Sequence, residues 1–405
     1  MRRARLGGLL AIAATSLPLL AGTTAVAASQ RTTPTIGKQA AELMGSDTVA
    51  LDYFGVSVAT SGTTVVVGAP NHAKDVGRAY VFTNTAAGWK QAAELKGSDT
   101  VGGDYFGYSV AVSGTTVVVG APGVVAVPAE NGLPASPGRA YVFTKTAVGW
   151  TQVAELKGSD TVTNDNFGVS VATSGTTAVV GAPGHASFAG RAYVFAKTAA
   201  GWTQVAELKG SDTVSNDNFG VSVATSGTTA VVGAPGHGGF AGRAYVFTDR
   251  AAGWKQAAEL KGSDTVSNDN FGLSVATSHT TVVVGAYDHA SSGGRAYVFT
   301  KQGGGWKQAA DLKGSDTIVG DGFGISVAAS GTTVVVGASA HANSAGRAYV
   351  FTRTATGWKQ AAELKGSDTV AADFFGYSVA TSGTTVVVGA YAHASFAGRA
   401  YLFDV

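Results

Sequence analysis

The sequence predicts an all-β chain, a seven-bladed β-propeller of four-stranded antiparallel blades whose ring is closed by the N-terminal strand. Three observations predict it. First, Phe-Gly recurs at Phe54, Phe106, Phe167, Phe219, Phe271, Phe323 and Phe375, at intervals of 52, 61, 52, 52, 52 and 52 residues. Periods of roughly 40–50 residues made of short strands mark propellers, one blade per repeat. Second, each period holds four strand-like runs separated by turn residues. Third, the two chain ends are out of phase by one strand, so that each completes the other.

Taken in order, the chain opens on a segment outside the fold. Arg2, Arg3 and Arg5 precede the apolar run Leu6–Leu20, and Ala25-Val26-Ala27 is a small-residue cleavage site. Residues 1–28 therefore read as a secretory signal peptide and 29–37 as a short linker, with the propeller over 38–405. The apolar run falls short of the ~20 residues that span a bilayer. No later run approaches that length, and the chain contains no Cys for a lipid anchor or a disulfide. The expectation is a secreted, extracellular protein without an anchor, stabilised by its core alone.

The first full copy shows the strand pattern. Phe54 to Ala59 alternates, with Phe54, Val56 and Val58 on one face. Ser61-Gly62 forms a turn. Val65 to Ala69 is apolar without alternation, as a strand buried on both faces must be. Ala79-Tyr80-Val81-Phe82 is the third strand. In Trp89 to Leu95, Trp89, Gln91, Ala93 and Leu95 alternate with Lys90, Ala92 and Glu94, which suits an outer strand with one wet face.

The ends explain closure. Lys38–Leu43 is an outer-strand sequence with nothing before it, while the chain stops just after the third-strand sequence Ala400-Tyr401-Leu402-Phe403. Pairing the ends removes two exposed strand edges that would invite aggregation.

These residues carry a family resemblance. Phe-Gly at the first strand and Gly-Ala-Pro ending the second (Gly68-Ala69-Pro70, Gly120-Ala121-Pro122, Gly181-Ala182-Pro183 and Gly233-Ala234-Pro235) resemble the FG-GAP repeats of the integrin α-subunit propeller and of bacterial secreted proteins. The motif drifts to Gly-Ala-Tyr at Tyr287 and Tyr391 and to Gly-Ala-Ser at Ser339. The resemblance covers residues 38–405. It implies a propeller used for extracellular binding and adhesion, without catalysis by the propeller itself. Several integrin-type repeats carry a calcium loop between the first two strands. Here that turn is Thr60-Ser61-Gly62-Thr63-Thr64, and calcium requires six to eight oxygens, largely carboxylates. No metal site and no cofactor is expected.

Charge removes other classes. The chain has 28 basic and 26 acidic residues, net +2. Without Arg2, Arg3 and Arg5 the balance is 25 against 26, or −1. That leaves no basic footprint for nucleic acid or an acidic membrane. No enzyme is expected either, since no acid, base or nucleophile set is unique to one copy.

Candidate contacts fall on one rim, where the loops between second and third strands meet those between fourth and first. His72, His185, His237, His289, His341 and His393 recur there, on different blades, too far apart to share one ion. Each repeat also brings an Asp pair, such as Asp47 and Asp52, expected to accept backbone N–H bonds within the turn. Arg78 and its copies should pair with acids of a neighbouring strand, and the six Trp should pack between blades. Phe188, Phe240, Phe396, Tyr287 and Tyr391 supply loop aromatics able to stack on a partner. The insertion Val124–Pro137 adds Glu130 and Asn131 and reads as the one obvious break in the rim's symmetry. The expected function is a non-enzymatic binding or adhesion module, a monomer, presenting this rim to a protein or glycan at the cell surface. The alternatives are a multivalent lectin-like propeller or an accessory propeller of an enzyme system.

Overall fold

The computed structural model describes residues 36–123 and 136–405. The signal peptide, most of the linker and the insertion residues Glu130 and Asn131 lie outside the described residues. Strands form seven four-stranded antiparallel sheets, six paired in sequence order and the seventh closed by the N-terminal strand. Blade 1 runs through Ser57–Ser61, Thr64–Ala69, Arg78–Thr85 and Gly88–Leu95. Blades 2 to 6 repeat this plan. Blade 7 consists of Ser378–Ser382, Thr385–Ala390 and Arg399–Asp404, completed by the N-terminal strand Lys38–Leu43.

The N-terminal strand is an outer strand in detail, not only in position. In blade 1 the third and outer strands slip register between Val81 and Phe82, leaving Ala92 unpaired as a β-bulge. The same slip falls between Gln39 and Ala41 where Lys38–Leu43 meets Arg399–Asp404. Leu43 is buried like Leu95.

Val and Ala fill the second and third strands because both faces of each blade are covered. Val65, Val66 and Val67 are fully buried, as are Tyr80 and Val81. Each hydrophobic cluster draws on two blades: Val66 and Val81 pack with Val117, Val119, Tyr141 and Phe143. Burial of a Val or Phe side chain is worth roughly 1.5–3 kcal/mol, so the ring is held by its blade-to-blade faces. Trp150 is half-buried against that same cluster, as expected of the repeated tryptophans.

The Phe-Gly pair corrects the sequence reading. The first strand starts at Ser57, three residues later than the alternation suggested. Phe54 instead forms a single parallel bridge to Gly398 of the preceding blade and is fully buried. Its ring lies 5.6 Å from Tyr80 and 6.1 Å from Phe82. Gly55 turns the chain at φ +93°, where a Cβ would strike the Arg399 carbonyl oxygen at 2.3 Å. Phe-Gly is thus a staple between blades, and the inner strand begins only after it.

Gly68 of the Gly-Ala-Pro motif has a related task. A Cβ there would sit 1.9 Å from the Gly107 carbonyl oxygen of the next blade. That oxygen accepts a hydrogen bond from the Ser57 hydroxyl at 2.9 Å. Seven such serine contacts close the inner ring, the last from Ser378 to Gly55.

After the second strand of blade 1 comes a left-handed turn. Ala73, Lys74 and Asp75 have φ of +55°, +61° and +65°, and the Asp75 N–H donates to the Asn71 carbonyl. Five further blades repeat it. L-residues rarely string together in this region, so the turn is held by its surroundings. Among the described residues, no helix is long and apolar enough to cross a membrane.

Candidate functional site

The rim loops meet as the strand order requires. The His72 Nδ1 lies 2.9 Å from Asp52 Oδ2, and its Nε2 lies 3.5 Å from Asp47 Oδ2. The five other rim histidines repeat both contacts, at 2.8–2.9 Å and 3.6–3.7 Å. Asp52 Oδ2 also accepts the Val49 N–H at 2.7 Å, as the turn reading anticipated. Asp47 works differently, accepting the buried Tyr80 hydroxyl at 2.7 Å through Oδ1. Burial, then the Asp47 hydrogen bond, holds the Tyr80 phenol far above its ordinary range. Arg78 Nε pairs with Glu94 at 2.6 Å on the adjacent outer strand. The Asp and His side chains are thus committed within each repeat. No group of three metal-ligating side chains is found among the described residues.

Blade 2 departs from this pattern. Its Asp99 still accepts from Tyr141, and Asp104 from the Val101 N–H. The sequence between His72 and His185 contains no histidine. Burial pushes the Asp104 carboxyl above the usual carboxylate range, although its hydrogen bond with Val101 opposes this.

The predicted loop aromatics do not act as one set. Phe188 and Phe240 are 45% and 46% exposed on blades 3 and 4. Tyr287 stands on blade 5 beside Gly322, its phenol raised chiefly by burial and then by Asp288. Phe396 and Tyr391 of blade 7 instead enter a cluster that single copies do not reveal. Tyr391 is sandwiched between Tyr53, at 5.7 Å and 12°, and Phe374, at 5.5 Å and 20°. Tyr377 meets it edge-on at 4.7 Å, and Phe396 packs on Tyr53 at 5.2 Å.

This cluster walls a cavity of about 500 Å³ lined by Tyr53, Tyr105, Tyr108, Tyr377 and Tyr391, with Val56, Val169, Pro70, Pro122, Gly123, Asn71 and Asn166. The volume suits a small-molecule or side-chain site, typically ~300–1,000 Å³. The cavity shares Val56, Val169 and Tyr377 with a narrower space of about 230 Å³ ringed by the inner-strand Val and Ser residues. It therefore opens at one side of the mouth of the central channel. Tyr108 and Tyr377 keep 44% and 38% of their surface exposed. Enclosure by neighbouring side chains, with Tyr108 and Tyr391 nearby, pushes the Tyr377 phenol up to about 12.

The cavity overturns the expectation that the insertion alone breaks the rim's symmetry. Its aromatics occupy repeat positions filled differently elsewhere. Before Phe-Gly stand Tyr53, Tyr105 and Phe374 in blades 1, 2 and 7, but Asn166, Asn218, Asn270 and Gly322 in blades 3 to 6. After Phe-Gly stand Tyr108 and Tyr377, but Val56, Val169, Val221, Leu273 and Ile325 in the other blades. Stacking the seven copies in columns would have shown this. What it would not have shown is which of these rings stack on one another across the closed chain ends.

The column before Phe-Gly is also strained. All seven residues have positive φ, from +55° at Tyr105 to +66° at Gly322. Asn and Gly enter this region readily, whereas other L-residues pay roughly 1–2 kcal/mol. Three adjacent blades thus place an aromatic where the fold prefers Asn or Gly. Backbone strain of this kind collects at functional sites.

The opposite rim offers short turns, such as Gly62-Thr63, whose Gly62 N–H donates to the Ser382 hydroxyl oxygen of the neighbouring blade at 3.2 Å. No carboxylate lies in the turns between first and second strands.

Comparison with known proteins agrees with this geometry. The FG-GAP repeat family matches at residues 38–82, 89–143, 150–195, 202–247, 254–299, 306–351 and 358–403. Each matched unit starts in an outer strand and ends in the third strand of the next blade. A search of curated proteins finds no match. Among solved structures, a chain of "Crystal Structure of Mitotic Checkpoint Complex" is similar at a TM-score of 0.57 and 12% identity, covering 100% of this chain and 99% of that one. A chain from the crystal structure of Saccharomyces cerevisiae Sqt1 scores 0.46 at 10% identity, covering 92% of this chain and 100% of that one. At such identities the first likeness speaks for the fold alone. Seven repeats in register, each bearing the Phe-Gly staple and the Gly-Ala close approach, make this chain a member of the FG-GAP repeat family.

Proposed function

We propose that the chain is a non-enzymatic, secreted binding module that engages a cell-surface partner through its loop rim, at the aromatic arc of blades 7, 1 and 2. One observation carries the reading. Around one cavity, blades 1 and 2 place Tyr53 and Tyr105 where blades 3 to 6 keep Asn or Gly, at a cost in backbone strain, and blades 2 and 7 place Tyr108 and Tyr377 where the others keep Val, Leu or Ile. The insertion Val124–Pro137 follows directly on cavity-lining Gly123 in the sequence. A site unique to one arc gives a symmetric ring a single docking register. The rim's acids and histidines support a binding role over catalysis, because each is held in the same repeated hydrogen bonds.

The test is binding of the labelled chain to isolated bacterial cell envelopes. Saturable binding should be lost in the double variant Tyr108→Ser, Tyr377→Ser and kept in Phe188→Ser, Phe240→Ser. Equal binding by both variants would move the contact away from the arc. No binding by the unaltered chain would remove the module reading for this surface.

A further inference from the structure

We infer that the aromatic cavity at the channel mouth is a carbohydrate site, taking one neutral saccharide segment per chain on the faces of Tyr108 and Tyr377. The inference rests on the binding-module reading and names its ligand class. The first argument is that the fold does not need these rings. Tyr108 and Tyr377 occupy a column where other blades place Val, Leu or Ile, and they remain 44% and 38% exposed. A ring kept open in this way offers its face to a ligand.

The second argument is charge. The cavity is lined by Tyr, Val, Pro, Asn and Gly, with no Lys, Arg, His, Asp or Glu. A charged ligand would lose its hydration there and find no opposite charge. A neutral ligand with a flat apolar face and a polar edge fits the lining. A pyranose has both: its C–H face stacks on an aromatic ring, and its hydroxyls reach amides and phenols. Asn71 and Asn166 stand on the cavity wall among the phenols. The Asn71 amide is oriented by donating to Asp75 Oδ1 at 3.0 Å. The Tyr105, Tyr108, Tyr377 and Tyr391 phenols, protonated in neutral solution like any phenol, are held further from ionisation chiefly by enclosure and serve as donors there.

The third argument is number. A repeat-encoded lectin would present the same cleft on every blade. Tyr287 of blade 5 is the one close analogue of Tyr391, but its flanking positions hold Asn270 and Gly322 instead of Phe374 and Tyr53. Asn270 there donates to Asp288 at 2.7 Å. That cleft lacks a second ring, so the stoichiometry should be one.

Calorimetric titration of the purified full chain with chitohexaose, cellohexaose, laminarihexaose and α-mannohexaose tests the inference, with a proline decapeptide as the competing chemistry. At least one hexasaccharide should bind at one per chain. Affinity should fall at least tenfold in Tyr108→Ala and in Tyr377→Ala, and stay within twofold in Phe188→Ala and Phe240→Ala. Tyr108→Phe, which keeps the ring, should retain most of the affinity. Circular dichroism of each variant separates loss of the site from loss of the fold. Binding of several hexasaccharides per chain, or binding indifferent to both tyrosines, would overturn the inference, as would binding of the peptide alone. If no hexasaccharide binds while envelope binding still depends on Tyr108 and Tyr377, the saccharide falls and the module reading stands. If envelope binding is absent too, both fall.

Discussion

Blades 7, 1 and 2 and blades 3 to 6 share one scaffold and differ in what they show at the mouth of the channel. Both arcs keep the buried Tyr-to-Asp hydrogen bond, the Phe-Gly staple and the serine ring. The first arc adds Tyr53, Tyr105, Tyr108, Phe374 and Tyr377. The second holds Asn, Gly and aliphatics at the same places. The lesson is that repetition and specialisation lie on different atoms. Interactions between blades are repeated because every interface must close at the same angle. Residues beside the channel mouth contribute little to closure and are free to diverge.

The largest expected effect is on the blade that joins the two chain ends. Removing residues 29–43 strips the outer strand from blade 7, leaving Arg399–Asp404 as a bare edge. The variant should yield no stable monomer by thermal melting and size-exclusion chromatography. A melting curve like that of the full chain would show that the N-terminal strand is dispensable for closure.

Alkaline pH should come next, and it should act on both arcs alike. Tyr80, Tyr141, Tyr193, Tyr245, Tyr297, Tyr349 and Tyr401 all have folded-state phenols raised well above 10.0 by burial and by hydrogen bonds to Asp. A raised folded pKa gives stability that is fully present below the unfolded value and is lost as pH rises above it. Each phenol tilts stability by about 1.4 kcal/mol per pH unit, and seven together by ~10. Unfolding should therefore become cooperative and steep just above pH 10, releasing several protons at once in a phenolate absorbance titration. Gradual, independent titration of these phenols in a chain that stays folded would contradict the repeated network.

A reciprocal pair of substitutions sharpens the contrast between arcs. Asn218→Tyr brings the strained aromatic to the plain arc and should cost about 1–2 kcal/mol. Tyr105→Asn makes the opposite change at a position with no ring partner within the cluster and should stabilise by up to ~1 kcal/mol. Urea denaturation measures both. Gains and losses of the same sign at the two sites would mean that local packing, not the positive φ, sets the preference in this column.

The smallest effect expected is none. Chelation with EDTA should leave the melting temperature unchanged, because the rim carboxylates already accept N–H and phenol hydrogens. A bound ion stabilises by mass action. A fall of several degrees in EDTA, restored by calcium, would assign the Asp pairs as ligands.

Much was legible in the chain itself. The period, the unbroken Val runs and the phase of Lys38–Leu43 against Phe403 determine seven blades and the way the ring closes, because hydrophobic patterning and strand count depend on local sequence alone. Arg78 with Glu94 and Asp52 with its own turn were also within reach, since their partners lie a short, fixed distance along the chain. Tertiary structure decided the rest. It moved Phe54 out of the strand and into the seam between blades, because only the neighbouring blade supplies the Gly398 bridge. It placed Asp47, in the loop leading into blade 1, against the buried hydroxyl of Tyr80 on that blade's third strand, 33 residues away. It also brought Tyr53 against Tyr391, and Tyr53 and Tyr105 into one cavity wall with Tyr377 and Tyr391, residues from opposite ends of the chain. Closure, which the phase of the chain ends already implies, makes those blades adjacent; which side chains then meet around one cavity depends on how each is placed on its neighbours, and that the repeat pattern does not carry.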